Sequence, residues 1–399
     1  MTDFEIDRSA LHITIGSTPQ VSENQGTQKL SLENDLRMVK AALLYAQHAK
    51  LCSIASAALL EIASIGDVPK QKRWDLLKRL QSYASDEETQ SKLTILSAFY
   101  EQARRKRYSK KGRVLLQQFE AALTESWGEA ADFAINAVRE AGGDGIIRAV
   151  ESGLLEVHTF DDTLHRTTHA EEHRGFVLEY VRVVGESVSD VHTYPLFDED
   201  TSEIIRESIK AGLIPVSEAA ISRAKESGLA SDVLTRLPLF ERATVREVLD
   251  IRNELERSLT RFRSAMIKFS SGIQSASWDE DFVSDADQVF RREVEPAVQD
   301  IEEEIRANSF IAELARKAVD AQAVLSGGSA LALAVTTLGL PAIAALAVGG
   351  TVGGGKAAYD AYTEWSKRNR EVEQNQLFFY YKAGQLLSEG TRAYVSDAL

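Results

Sequence analysis

Cysteine is almost absent: one residue, Cys52, in a chain of 399. That excludes an intrachain disulfide and removes cysteine-based zinc centres. Cys52 lies in an apolar, Ala-rich run read as helical, so the thiol is expected to be buried and inert. Proline is also scarce, at 7 residues. With abundant Ala, Glu, Leu and Arg, this points to a mainly helical protein. Positive charge is in deficit, 46 Lys and Arg against 60 Asp and Glu, for a net charge of −14. Such a balance favours solubility and argues against binding nucleic acid over the whole surface. The start, MTDFEIDRSALHITIG, lacks a basic region followed by an apolar run, so a cytoplasmic rather than secreted protein is expected.

The fold class expected from these features is mainly α. The predicted architecture is a multi-helix bundle with a long antiparallel helical hairpin and a buried Gly/Ala-rich apolar hairpin. Short strands are compatible only with residues near 4–15 and 155–160. The chain divides into an extended arm over 1–29, a helical domain over 30–237, the long hairpin over 238–320, and the apolar hairpin with C-terminal helices over 321–399. The long hairpin is read from Ile251, Leu255, Leu259, Phe262, Met266, Phe269 and Ile273, spaced by threes and fours as one helical face requires. A second arm carries Phe290, Val294, Val298, Ile301 and Ile305. An aromatic cluster, Leu377 to Tyr381, is expected to pack on the apolar hairpin or to sit at a bilayer interface.

Residues 321–355 contain no charged side chain, in a chain that is 27% charged. The most apolar part, Ala330 to Val348, would span about 28 Å as a helix, close to a bilayer's hydrocarbon thickness. Gly339 and Pro341 argue for two short arms instead. Leu331, Leu333, Val335, Leu338, Pro341, Ile343, Leu346 and Val348 form the apolar surface of this candidate membrane or core hairpin. Gly349, Gly350, Gly353 and Gly354 have GxxxG spacing, which lets helix backbones approach closely. The segment resembles the buried hydrophobic hairpin of channel-forming colicins, and that resemblance implies insertion from a soluble bundle. Gly350 to Lys356 also reads GxxxxGK, but Ala357 stands where a phosphate loop needs Ser or Thr for its magnesium. Close packing explains these glycines better.

The sharpest charge anomaly is the run Arg104, Arg105, Lys106, Arg107, Lys110, Lys111 and Arg113, with no acid among them. It is a candidate patch for nucleic-acid phosphate or anionic lipid. The bland alternative is a helix C-terminus, stopped by Gly112, whose cations complement the helix dipole. Histidine clusters too: five of the 7 lie between His158 and His192. On a helix, His165, His169 and His173 would share one face, and His169 to His173 matches H-x-x-E-H, so a divalent metal is the cofactor left open. A shared packing face or a pH-responsive cluster accounts for the same spacing.

The function expected is that of a non-enzymatic interaction or assembly protein with a masked apolar segment. It would act on a protein partner or by self-association. The alternatives are a membrane-active effector inserting residues 321–355, peripheral or conditionally inserted at an anionic membrane, and a metal-dependent enzyme using His165, His169 and His173. Sequence-specific nucleic-acid binding is not expected.

Overall fold

The computed structural model describes residues 11–18, 20–24, 27–64, 87–106, 108–160, 170–307, 367 and 370–397. It corrects the helical-bundle expectation: the chain is a mixed α/β protein. Four parallel strands, β1 His12–Ser17, β4 His48–Ser53, β5 Leu155–Val157 and β6 Thr193–Phe197, form one sheet in the order β5-β4-β1-β6. β1 pairs with β4 from His12↔His48 to Ser17↔Ser53, and with β6 from His12↔Thr193 to Gly16↔Phe197. A separate antiparallel hairpin joins β2 Gln20–Asn24 to β3 Thr27–Ser31.

β1 and β5 overlap the segments expected to be extended, whereas β4 and β6 escaped detection, being short and lying within a sheet covered by helices. Ile13, Thr14, Ile15 and Ser17 of β1 are all buried, as are Leu51, Cys52 and Ser53 of β4, and the polar/apolar alternation covers only His12 to Ile15 and His48 to Leu51, too short a run to separate a strand from a helical turn. The Ala-rich stretch read as one helix is in fact α1 Glu33–Tyr45, strand β4, and α2 Ile54–Ala63. Cys52 therefore sits on a central strand, and burial pushes its thiol up to about 12, consistent with inertness.

Helices cover both faces. Asn34 of α1 reaches Ser17, while a Cβ at Gly16 would press on Val184 of α6 (Ala170–Ser189) and Thr201 of α7 (Glu199–Lys210). Neighbouring strand residues point to opposite faces, so α1 lies on one side and α6 with α7 on the other. Between β4 and β5 the chain also forms α3 Glu87–Arg105, α4 Lys110–Glu140 and α5 Gly143–Glu151. β6 contains Pro195 and is an edge strand, where a missing N–H costs least. Helix α8, Glu218–Thr235, anchors it: Ser227 donates to the Pro195 carbonyl at 2.6 Å.

By contact density the chain splits into two units. One holds the sheet and comprises residues 1–231, 244–249 and 275–280; the other comprises 232–243, 250–274 and 281–399. After α9 Val245–Glu254, the helices α10 Glu256–Ser270, α11 Phe282–Val289 and α12 Glu295–Ala307 follow in chain order. In the second unit α10 and α12 each pack on α13 Phe378–Asp397, so the expected two-arm hairpin gives way to a cluster shared with the C-terminal helix. The periodic residues Ile251, Leu255, Leu259, Phe262 and Met266 are buried there. Of the aromatic cluster, Phe379 lies 5.2 Å from Phe262 and Tyr380 lies 6.4 Å from Phe290, ring centre to ring centre. Arg236 stacks on Phe290 and pairs with Asp232 and Asp287, both at 2.9 Å.

Gly16 is a point of close approach between the sheet and its covering helices. A Cβ there would come within 2.9–3.0 Å of Phe197, Thr201 and Val184. Gly16→Val is expected to lower the urea unfolding free energy by about 1–3 kcal/mol through overpacking. An unchanged unfolding midpoint would show that this face has slack.

Candidate functional site

In an open parallel sheet, ligands bind outside the carboxyl ends of the strands, where the strand order reverses. The chain lays down β1, then β4, then β5 outward, and β6 returns to the other side of β1. The reversal therefore lies between β1 and β6, and a dense polar cluster fills it.

The cluster is assembled where helices α1, α2 and α7 begin beside the ends of β1, β4 and β6. Asp198 follows β6 and caps α7, accepting from the Thr201 amide on Oδ1 at 2.8 Å. Its Oδ2 accepts from the Thr18 amide at 2.8 Å, Thr18 Oγ1 at 3.1 Å, Asn34 Nδ2 at 3.1 Å and Ser17 Oγ at 3.2 Å. On the other flank of β1, Asp35 accepts from the hydroxyls of Ser53 and Ser56, both at 2.5 Å. Ser53 also caps α2 through the Ser56 amide. Burial pushes the Asp35 carboxyl above its ordinary range; hydrogen bonds from Ser17, Ser53 and Ser56 oppose that, and the Asp198 charge adds to it. Below the sheet's end, Tyr180 Oη and Thr201 Oγ1 lie 2.8 Å apart, and burial holds the Tyr180 phenol well above its usual range.

Chemically this is a clasp. Ser17, Ser53, Ser56 and Thr201 are fully buried, and Asn34, Asp35 and Asp198 are buried. Their donors and acceptors satisfy one another, as buried polar groups must. The position a ligand would take at the switch point is filled by the Asp198 carboxylate. Sequence reasoning missed these residues, although the signature was present twice: an apolar run ending in Ser or Asp at a helix start, in LCSIAS and LFDEDT.

The basic run is placed differently. α3 and α4 form an antiparallel pair closed by Phe99 and Tyr100 on Phe119, with ring centres 6.3 and 5.1 Å apart. The turn between them carries Arg104, Arg105, Lys106, Lys110, Lys111 and Arg113, all exposed, and Tyr108, 83% exposed. Arg107 lies outside the described residues. Gly112 is no helix stop. It sits in the first turn of α4, where the Ser109 hydroxyl accepts from its amide at 2.9 Å. The Lys106 carbonyl occupies the space a Gly112 Cβ would need, so the turn is compact and glycine-dependent. Dipole complementation accounts for Arg104 and Arg105 at the end of α3. It fails for Lys110, Lys111 and Arg113, which stand at the positive end of α4. None of the six pairs with a carboxylate among the described residues.

The remaining candidates lie largely outside the described residues. His165, His169 and the whole of 321–355 lie outside the described residues, including Leu331, Leu333, Val335, Leu338, Pro341, Ile343, Leu346, Val348, Gly349, Gly350, Gly353 and Gly354; His173 lies on α6. His158 follows β5 and His192 precedes β6, which puts them at opposite edges and opposite ends of a parallel sheet. Among the described residues no group of three or more His, Cys, Asp or Glu is arranged to hold a metal, and no helix is long and apolar enough to cross a membrane. A cavity of about 590 Å³ opens beside α6, lined by Leu178, Arg182, Gly185, Leu213 and Ile214. Its polar groups are already engaged: Arg182 pairs with Glu186, and Asp190 accepts from Thr193.

Asp198→Ala removes a cap and several bonds to a buried carboxylate, and is expected to cost about 2–4 kcal/mol in urea unfolding. Glu226 tests the pH dependence of this unit. It is buried, accepts from Tyr45 Oη at 2.7 Å, and burial raises its carboxyl above the ordinary value despite that bond. The folded form then binds more protons than the unfolded chain between the two values, so stability falls as pH rises through that window. Glu226→Gln should therefore match or exceed wild type at pH 7, with the difference closing as pH falls through the carboxylate range. A variant less stable at pH 7 than at pH 4.5, relative to wild type, would contradict this. Compared with known proteins, the chain matches no family model, no curated relative and no solved structure.

Proposed function

We propose that this protein is a non-enzymatic interaction protein: an α/β body that presents a cationic helical turn to an anionic partner. The observation that carries this reading is the contrast between its two polar sites. At the sheet's carboxyl edge the charged and hydroxyl groups are buried and mutually satisfied. At the α3–α4 turn, six cations are exposed and unpaired among the described residues, and three of them oppose the dipole of their own helix. Unrelieved repulsion at a surface turn is tolerated most readily where a partner supplies the missing charge. The uncharged run 321–355 supports a second reading in which the same protein acts on a bilayer. It rests on composition, since those residues lie outside the described ones.

Reversal of Lys110 and Lys111 to Glu separates function from stability. Acids in the first turn of α4 should raise its stability by about 0.3–1 kcal/mol each. The same change should abolish retention of the full chain on immobilised heparin at about 50–100 mM salt, because polyanion contacts are salt-labile. Heparin retention equal in wild type and variant would rule out the turn as an anion-docking site.

A further inference from the structure

The geometry points to an anionic lipid surface as the partner of the α3–α4 turn, an inference that rests on the anion-docking reading above. Three features select lipid among polyanions. The turn is a convex end rather than a groove: Lys106 and Lys110 lie on either side of a connection closed by Ser109 and Gly112, with Arg105 and Lys111 one step further along each helix. Cations gathered around a convex end can meet a plane of headgroups together, whereas nucleic-acid recognition uses a helix laid in a groove or a platform of stacked aromatics. Next, the apex residue is Tyr108, an amphipathic ring of the kind that settles at headgroup depth. Finally, exposed apolar residues stand near the turn, alongside polar ones such as Gln102 and Gln117. Val114 is 48% exposed one residue beyond Arg113, and Phe99 and Ile95 stand one turn apart on α3 at 44% and 67%. Lys and Arg can extend their heads to phosphate while their alkyl stems lie over such surface.

The acidic body does not forbid the approach. α4 has 31 residues, and its far end leads into α5, which packs on β5; at 1.5 Å per residue the turn lies about 46 Å along that helix from this junction. Fields of the acidic body fall off over a Debye length of about 8–10 Å. Each basic side chain near an anionic bilayer contributes about fivefold to partitioning, or about 1 kcal/mol.

The test uses the full chain and flotation with vesicles of phosphatidylcholine alone or with about one third phosphatidylserine, at 100 and 500 mM salt. The expected result is flotation with the anionic vesicles only, lost at high salt. Lys110→Glu/Lys111→Glu should lower the partition coefficient at least 25-fold. Tyr108→Ala should lower it several-fold without altering the salt dependence, a readout that pure charge attraction would not give. Equal flotation with both vesicle types, or an unaffected double variant, would overturn the lipid assignment. So would tight binding to duplex DNA or single-stranded RNA with no flotation, although heparin retention would then still support anion docking. Loss of turn-dependent heparin binding would instead remove the reading on which this one rests.

Discussion

The bond set of Asp198 is the constraint on which the sheet depends. β6 reaches β1 only after the chain has laid down β4, β5 and a run of helices, so residues 17 and 198 are far apart in sequence when they meet. Closing a loop of that size carries an entropic cost that the pairing of one short strand does little to offset. A carboxylate that takes bonds from Thr18, Asn34, Ser17 and Thr201 joins the new edge strand, the first strand and two helix starts at one point. Asp35 repeats the device on the other flank, joining α1 to the end of β4 through Ser53 and Ser56. In both cases the charge sits beside helix N-termini, whose unsatisfied amides and dipoles favour an anion. The anion-friendly corner that other parallel sheets offer to a ligand is here occupied by the chain's own side chains.

Helices were legible where a single face had to be buried. The stripe from Ile251 to Met266 is a buried face, while the aromatic pair Phe379 and Tyr380 lies against Phe262 and Phe290; the partner expected for it, 321–355, is outside the described residues. What the stripe could not disclose was its partner: periodicity shows that a face is covered, and α13 rather than a second arm covers it. The strands were illegible for a different reason. β4 runs HAKLCS between two Ala-rich helices, and its polar/apolar alternation lasts only from His48 to Leu51, too briefly to distinguish it from a helical turn. Segments near 12–15 and 155–157 showed an extended character, yet nothing in either announces that β4 joins them into one parallel sheet. Caps carried the missing information, since Ser53 and Asp198 mark helix starts directly after apolar runs.

The basic run shows how structure changes the weight of a sequence feature. As a helix C-terminus it would have been an ordinary solvated end. Divided between the end of α3 and the start of α4, the same residues split into a pair the dipole welcomes and a trio it opposes. Stability alone would favour Asp or Glu at 110 and 111, and the chain has no shortage of either. Their replacement by lysine is the kind of local conflict that proteins retain where a surface serves another purpose.

Buried and exposed charges in this protein thus answer to different demands. Asp35, Asp198 and Glu226 are held by named donors, and their bonds and packing bear on how firmly the sheet unit is held together. The turn cations are held by nothing described, and their removal should leave the fold intact or improve it. A group whose loss costs stability belongs to the scaffold. A group whose loss is expected to be free, on a turn built around Ser109 and Gly112, is the one we propose for recognition.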